Sequence, residues 1–230
     1  MTSLPTAAEV THLHHHLLNL AGWPLNAPTP PGGDSDGLWH WIQTNHRNNC
    51  LLWAEEDLAR RTQVGAEAIA ANKRAIDRFN QARNDATERV DEFLLLALGL
   101  VDLHTMGSDA PVSRAPSTAR LNSETAGSII DRMSILSLKV HAMRAQTLRD
   151  DVDSSHRDAS QRKLERLEQQ LADLGHCLDE LLAETRAGKA CFKVYRQFKM
   201  YNDPRFNPEL VKEAAAALTP PSAPPPTAPA

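Results

Sequence analysis

Residues 164–182 read LERLEQQLADLGHCLDELL, and within them Leu164, Leu167, Leu171, Leu174, Leu178 and Leu181 recur at alternating threes and fours. That spacing returns to one side of an α-helix every two turns and lays down a continuous leucine stripe. Upstream, Ile129, Met133, Leu136, Val140 and Met143 repeat the same rhythm. Stripes of this kind are stable only when covered, so the two segments call for neighbours, and an antiparallel helical bundle supplies them. The same leucines could instead zip two copies of the chain into a coiled-coil homodimer. The pattern alone leaves both uses open.

Outward from these segments the vocabulary stays helical. Glycine occurs only 10 times in 230 residues, mostly between periodic stretches, and no run alternates β-branched with polar residues. The fold class expected is all-α, a bundle of about five to seven helices. Thr6-Ala-Ala-Glu9 is a capping box that predicts a first helix to about Leu20. APTPPGGDSDG at 27–37 reads as a loop. Helices are then predicted at about Leu38–Arg61, Ala66–His104, Asn122–Arg149 and Ser155–Arg186, with Gly188 as a stop. A short helix over Cys191–Met200 follows. Asn207-Pro208-Glu209 opens a last one, to about Leu218. The domain reading is therefore an N-terminal helix and Pro/Gly loop (1–37), a bundle (38–218), and a Pro-rich tail (219–230) expected to be disordered.

Composition narrows the function classes. A net charge of −4 gives no basic surplus, so nucleic acid is not an expected partner. The longest apolar run, Phe93–Val101, is far shorter than the ~20 residues a membrane span needs. Three cysteines at unrelated spacings make neither a disulfide framework nor a zinc motif, which suits a cytoplasmic location. His12, His14, His15 and His16 point to different sides of their helix, so no metal site is expected there.

Polar residues cluster on three helices. Between Ala66 and His104, Lys73, Asp77, Asn80, Asn84, Glu88 and Asp91 fall in one arc of about 80°, at the border of an apolar face. On the preceding helix His46, Cys50, Trp53, Asp57 and Arg60 share a face, with Asn49 and Glu56 beside it. On the following one Glu124, Asp131 and Ser134 line up, with His141 towards the edge and Arg132 and Lys139 on another face. Buried charge is costly unless paired or used on a ligand, so such rows suit either a cleft or interhelical ion pairs.

Four stretches in order complete the pattern: His46-x-x-Asn49 with Leu52-Trp53-x-Glu55-Glu56-Asp57-x-x-Arg60; Lys73-Arg74-x-Ile76-Asp77; Asn80-Gln81-x-Arg83-Asn84-Asp85-x-x-Glu88-x-x-Asp91; and NSETAGSIIDRMSILSLKVH at 122–141. Together they resemble the bacterial domain-of-unknown-function family 4254 over roughly residues 40–205, with Met133 where leucine is typical. The IDRxSILxLK portion is also similar to segments of bacterial surface-polysaccharide proteins. The resemblance implies a helical protein encoded near glycosyltransferases of lipopolysaccharide assembly. Glu88 and Asp91, with Glu55-Glu56-Asp57, more loosely resemble helical Mg²⁺-dependent nucleotide pyrophosphohydrolases. Residues 83–98 resemble the first helix of helical chorismate mutases.

Two functions follow as expectations. In the first, Asp57, Glu88, Asp91, Glu124 and Asp131 converge as acid–base groups or around a divalent cation such as Mg²⁺, and His46 or His141 moves protons. Arg60, Lys73, Arg83, Arg132 and Lys139 then hold a phosphorylated sugar or nucleotide sugar, which Asn49, Asn80 and Asn84 orient. In the second, the chain is a non-catalytic accessory subunit that docks on a glycosyltransferase or dimerises. A single cleft lined by the three rows separates the first from the second.

Overall fold

A computed structural model describes residues 4–33, 36–197 and 203–217. Those residues form six α-helices: α1 (Ala7–Leu18), α2 (Leu38–Ala59), α3 (Ala66–Ala97), α4 (Ala126–Thr147), α5 (Ser154–Arg186) and α6 (Pro208–Ala217). The all-α expectation holds. The Pro-rich tail lies outside the described residues. Chain contacts define two compact units, one running to Tyr195 and one from Arg196, which contains α6. Among the described residues no helix is long and apolar enough to cross a membrane.

Helix ends show which local signals governed. Thr6 Oγ1 accepts from Glu9 N at 3.2 Å while Glu9 Oε2 accepts from Thr6 N at 2.8 Å, the reciprocal box expected of the first helix. α5 stops at Gly188, whose φ of +69° suits a residue without Cβ. Its amide donates to Thr185 O at 3.1 Å and Lys189 N donates to Glu184 O at 2.9 Å. The same termination cuts α3 short of the expected His104. Gly99 takes φ +71°, donates to Leu96 O at 2.9 Å, and Leu100 N reaches back to Leu95 O at 2.8 Å.

Two further boundaries differ from expectation. α4 is capped by Thr125, whose hydroxyl accepts from Ser128 N at 3.1 Å, and not by Asn122 or Ser123. Asn122 is occupied elsewhere: its side-chain Nδ2 donates to Glu124 O at 2.7 Å and its backbone N–H to Cys191 O at 2.7 Å. The backbone bond extends a two-residue parallel pairing of β1 (Arg120–Leu121) with β2 (Ala190–Cys191). The short helix expected over Cys191–Met200 is therefore absent from its described part, 191–197. Phe192 is fully buried and burial alternates beyond it, the behaviour of an extended strand-like segment.

Neighbouring helices run antiparallel. Asn45 and Arg61 of the α2 region bond to Thr87 and Asn72 of α3, and Arg144 of α4 pairs with Glu168 of α5 at 2.6 Å. The leucine stripe of α5 is used within its own bundle: Leu164, Leu171, Leu174, Leu178, Leu181 and Leu182 are all buried. Ile129, Met133 and Val140 of α4 and Val10, Leu13 and Leu17 of α1 complete that core. α1 is fixed to α5 by Ala7 N donating to Asp179 Oδ1 at 2.8 Å. A Cβ on Gly175 would lie 3.1 Å from the Ala7 Cβ, so the glycine lets the two helices meet.

Candidate functional site

The middle of α2 is built from amides where a core helix would carry leucines. Gln43, Asn45, His46, Asn48 and Asn49 are all buried there. Buried polar groups require partners, and α3 and α4 provide them. Asp131 of α4 is the hub. Its Oδ1 accepts from Asn45 Nδ2 at 2.8 Å and from Asn49 Nδ2 at 3.0 Å. Asn45 also donates to Thr87 Oγ1 on α3 at 3.0 Å, so one side chain ties three helices. Ser134, one turn along α4, accepts from Asn49 Nδ2 at 3.0 Å and lies 2.7 Å from His46 Nδ1.

With Asn49 donating to the serine oxygen, the Ser134 proton is free for Nδ1 of a neutral imidazole. Burial pushes the His46 pKa down to about 3, so neutrality is its state near pH 7. The ring stacks with two neighbours, 4.4 Å from the His14 ring centroid and 5.7 Å from that of Trp23. His14 is buried, held neutral by desolvation, and neither ring nitrogen has a hydrogen-bond partner among the described residues. His46 thus orients the network and is not placed to shuttle protons with solvent.

On its outer side the network opens into a cleft of about 310 Å³ between α2, α3 and α4. Asn49, Trp53, Asp57 and Arg60 line it from α2, Arg83 from α3 and Ile135 from α4. Arg83 is the group that joins network to cleft. Its side chain is 23% exposed and stands 3.8 Å from Asp131 Oδ2, too long for a hydrogen bond. Nη2 donates to Asn84 Oδ1 at 3.2 Å, while Nε is buried without an acceptor among the described residues. Arg60, at the rim, holds Glu56 at 3.1 Å.

The expected site residues divide accordingly. Asn49, Asp57, Arg60, Arg83 and Asp131 come together, with Asn84 buried behind the arginine. Asp91 is placed differently. It is 4% exposed and accepts from Gly127 N at 2.6 Å, so it anchors the first turn of α4. Burial pushes its pKa up to about 7, against the lowering effect of the Thr125 and Gly127 hydrogen bonds, and nearby Glu88 adds to the rise. Lys73 is an exposed partner of Asp77 at 2.5 Å, and Arg132 pairs with Glu124 at 2.5 Å. Asn80 is half-buried on α3, Lys139 faces α5, and His141 is exposed near His15 of α1.

The five carboxylates therefore do not converge. Among the described residues no group of three or more His, Cys, Asp or Glu is placed to hold a metal ion. Asn45, Thr87 and His14 belong to the network but were not singled out for it by the sequence. The signal available was position: Asn45 precedes Asn49 by one turn and Thr87 follows Arg83 by one turn.

A family model described as "Protein of unknown function (DUF4254)" matches residues 39–194, a span that takes in every residue of the cleft. No curated protein and no solved structure gave a match.

Proposed function

The chain belongs to the DUF4254 family, and we propose that it binds a phosphorylated sugar or nucleotide sugar in the cleft between α2, α3 and α4. The setting, bacterial surface-glycan assembly of the lipopolysaccharide type, comes from the resemblance of its motifs. The observation that carries the binding reading is Arg83. A guanidinium held largely out of water, with Nε unused and its nearest carboxylate at 3.8 Å, still has donors to give to an incoming anion. Phosphate oxygens satisfy a planar fork of N–H groups well.

The rest of the cleft suits a hydroxylated ligand. Asp57 offers acceptors to sugar hydroxyls, Asn49 offers an amide, and the Trp53 ring supplies an apolar wall for a sugar or base face. Asp131 is held by Asn45 and Asn49 in one orientation and is the carboxylate available to take a proton from a bound hydroxyl. A magnesium ion would be held chiefly by the ligand's own phosphates with Glu56 or Asp57, since Mg²⁺ needs only one or two protein carboxylates.

Thermal unfolding with a panel of sugar phosphates, nucleotide sugars and nucleotides, with and without Mg²⁺, tests this. A ligand present at a hundred times its Kd stabilises the native state by about 2.7 kcal/mol, an easily measured rise in Tm. Stabilisation by phosphorylated sugars and not by the free sugars is expected. No rise with any phosphorylated compound would contradict the reading and favour the accessory-subunit function.

A further inference from the structure

A second ligand surface lies on the other side of α4, between α4 and α5. Two adjoining hollows of about 440 and 490 Å³ occupy this seam and share Lys139. Their α4 lining runs from Arg132 to Gln146, a rise of ~21 Å at 1.5 Å per residue. The floor is apolar: Leu136, Met143 and Leu167 pack on the core and show only part of their surface. Trp53, 37% exposed, closes one side. The shape is a furrow, much longer than a sugar or a nucleobase.

Charge is distributed unevenly along it. In one half stand Lys139, Lys163 and Arg166, all exposed, and no carboxylate lines that half. None of these three has a hydrogen bond or ion pair among the described residues. Elsewhere on α4 the other cations are paired, Arg132 with Glu124 and Arg144 with Glu168. The far half is balanced: Arg132 is neutralised by that pair, and Asp173 accepts from Gln169 at 2.8 Å. Three unpaired cations converging on one apolar groove, in a chain of net charge −4, mark a place for an anion attached to something apolar.

We propose that the α4–α5 furrow binds a single-chain amphiphile with a phosphate head, the head between Lys139, Lys163 and Arg166 and the chain along Leu136 towards Cys177. A long thin body fills a furrow of this length, and the head meets the cations that nothing else in the described chain engages. The furrow shares only Trp53 and Ile135 with the cleft that Arg83 anchors, and Lys139, Lys163 and Arg166 do not line that cleft, so the two readings are tested separately.

The test is calorimetric titration of the full chain with decyl phosphate below its micellar concentration. Inorganic phosphate, neutral decyl maltoside and AMP serve as comparisons. One site is expected for decyl phosphate, at least tenfold tighter than for any of the three. The double variant Lys163→Glu, Arg166→Glu changes exposed side chains that have no partners among the described residues, so its fold and Tm should be kept while its affinity for decyl phosphate drops at least tenfold. Cys177 is exposed whereas Cys50 and Cys191 are buried, so thiol labelling reports on the tail end, and decyl phosphate should slow it several-fold. No binding, equal affinity for any of the three comparison compounds, unchanged affinity in the double variant, or unaltered Cys177 labelling would each overturn the proposal.

Discussion

Asp91 illustrates how a residue with the profile of a catalytic acid can have another occupation. Its carboxylate is aimed at the start of α4, where free amides and the helix dipole favour a negative charge. Burial nevertheless raises its pKa to about 7 from an ordinary 3.8. Between those values the native state keeps a proton that the unfolded chain has released, so this group's contribution falls as pH rises through the window. His46 works in the opposite sense. Its native pKa of about 3 lies below an ordinary 6.5, so acidification through that range costs stability, and buried His14 has the same sign. Asp91→Asn removes only the first effect while keeping an acceptor for Gly127 N. Relative to wild type, the variant should gain about 2–4 kcal/mol between pH 4 and pH 8, because each pH unit between the unfolded and native pKa values is worth ~1.4 kcal/mol. Urea unfolding at the two pH values measures this, and a pH-independent difference would remove Asp91 as the titrating group.

Gly127 is the neighbour that makes this contact feasible. A Cβ there would lie 2.6 Å from the Thr87 carbonyl oxygen and 2.9 Å from the Asp91 carboxylate. Backbone cannot yield as a flexible side chain can, so Gly127→Ala should cost about 1–3 kcal/mol in denaturant unfolding, as overpacked cores do. An unchanged midpoint would mean that α3 and α4 can separate at this point.

At the scale of elements, α5 and α2 teach different lessons. The leucine stripe of α5 was legible because burial follows a 3.6-residue period, and Leu178, fully buried, is its centre. Leu178→Ala should destabilise by about 2–5 kcal/mol, while the capping change Thr6→Ala at the edge of the bundle should cost about 1 kcal/mol. Thermal or urea unfolding separates the two, and a reversed order would contradict the packing described. Helix ends were legible where one residue decides them: Gly188 stops α5 as its sequence suggested. Gly99 does the same for α3 but sits within an apolar run that reads on as helix. The start of α4 was misplaced because Asn122 pairs with Cys191, far along the chain, and no local pattern carries that. α2 was harder still. Its amides give no hydrophobic period, so the sequence showed a polar row without showing that Asn45 and Asn49 turn inward to Asp131.

For the whole molecule, the all-α class and the helical vocabulary could be read directly, and the family could be recognised from four ordered motifs. The grouping of the candidate site could not. Helical spacing shows which residues share a face and says nothing of the rotation of each helix about its axis. Lys73 shares an arc with Asn84, and His141 lies at the edge of the Asp131 face, yet both sit at the surface, as does Arg132, and Asp91 lies at the joint of α3 with α4. What remains at the cleft is a short set centred on Arg83 and Asn49, with Asp131 behind them. That Arg83 holds an anionic ligand there is tested most directly by calorimetric titration of the most stabilising phosphorylated sugar or nucleotide sugar into wild type and Arg83→Gln. Losing charge-assisted hydrogen bonds of about 1.5–3 kcal/mol should weaken binding roughly 10- to 150-fold with the fold intact. Equal affinity in the two proteins would contradict the assignment of the cleft.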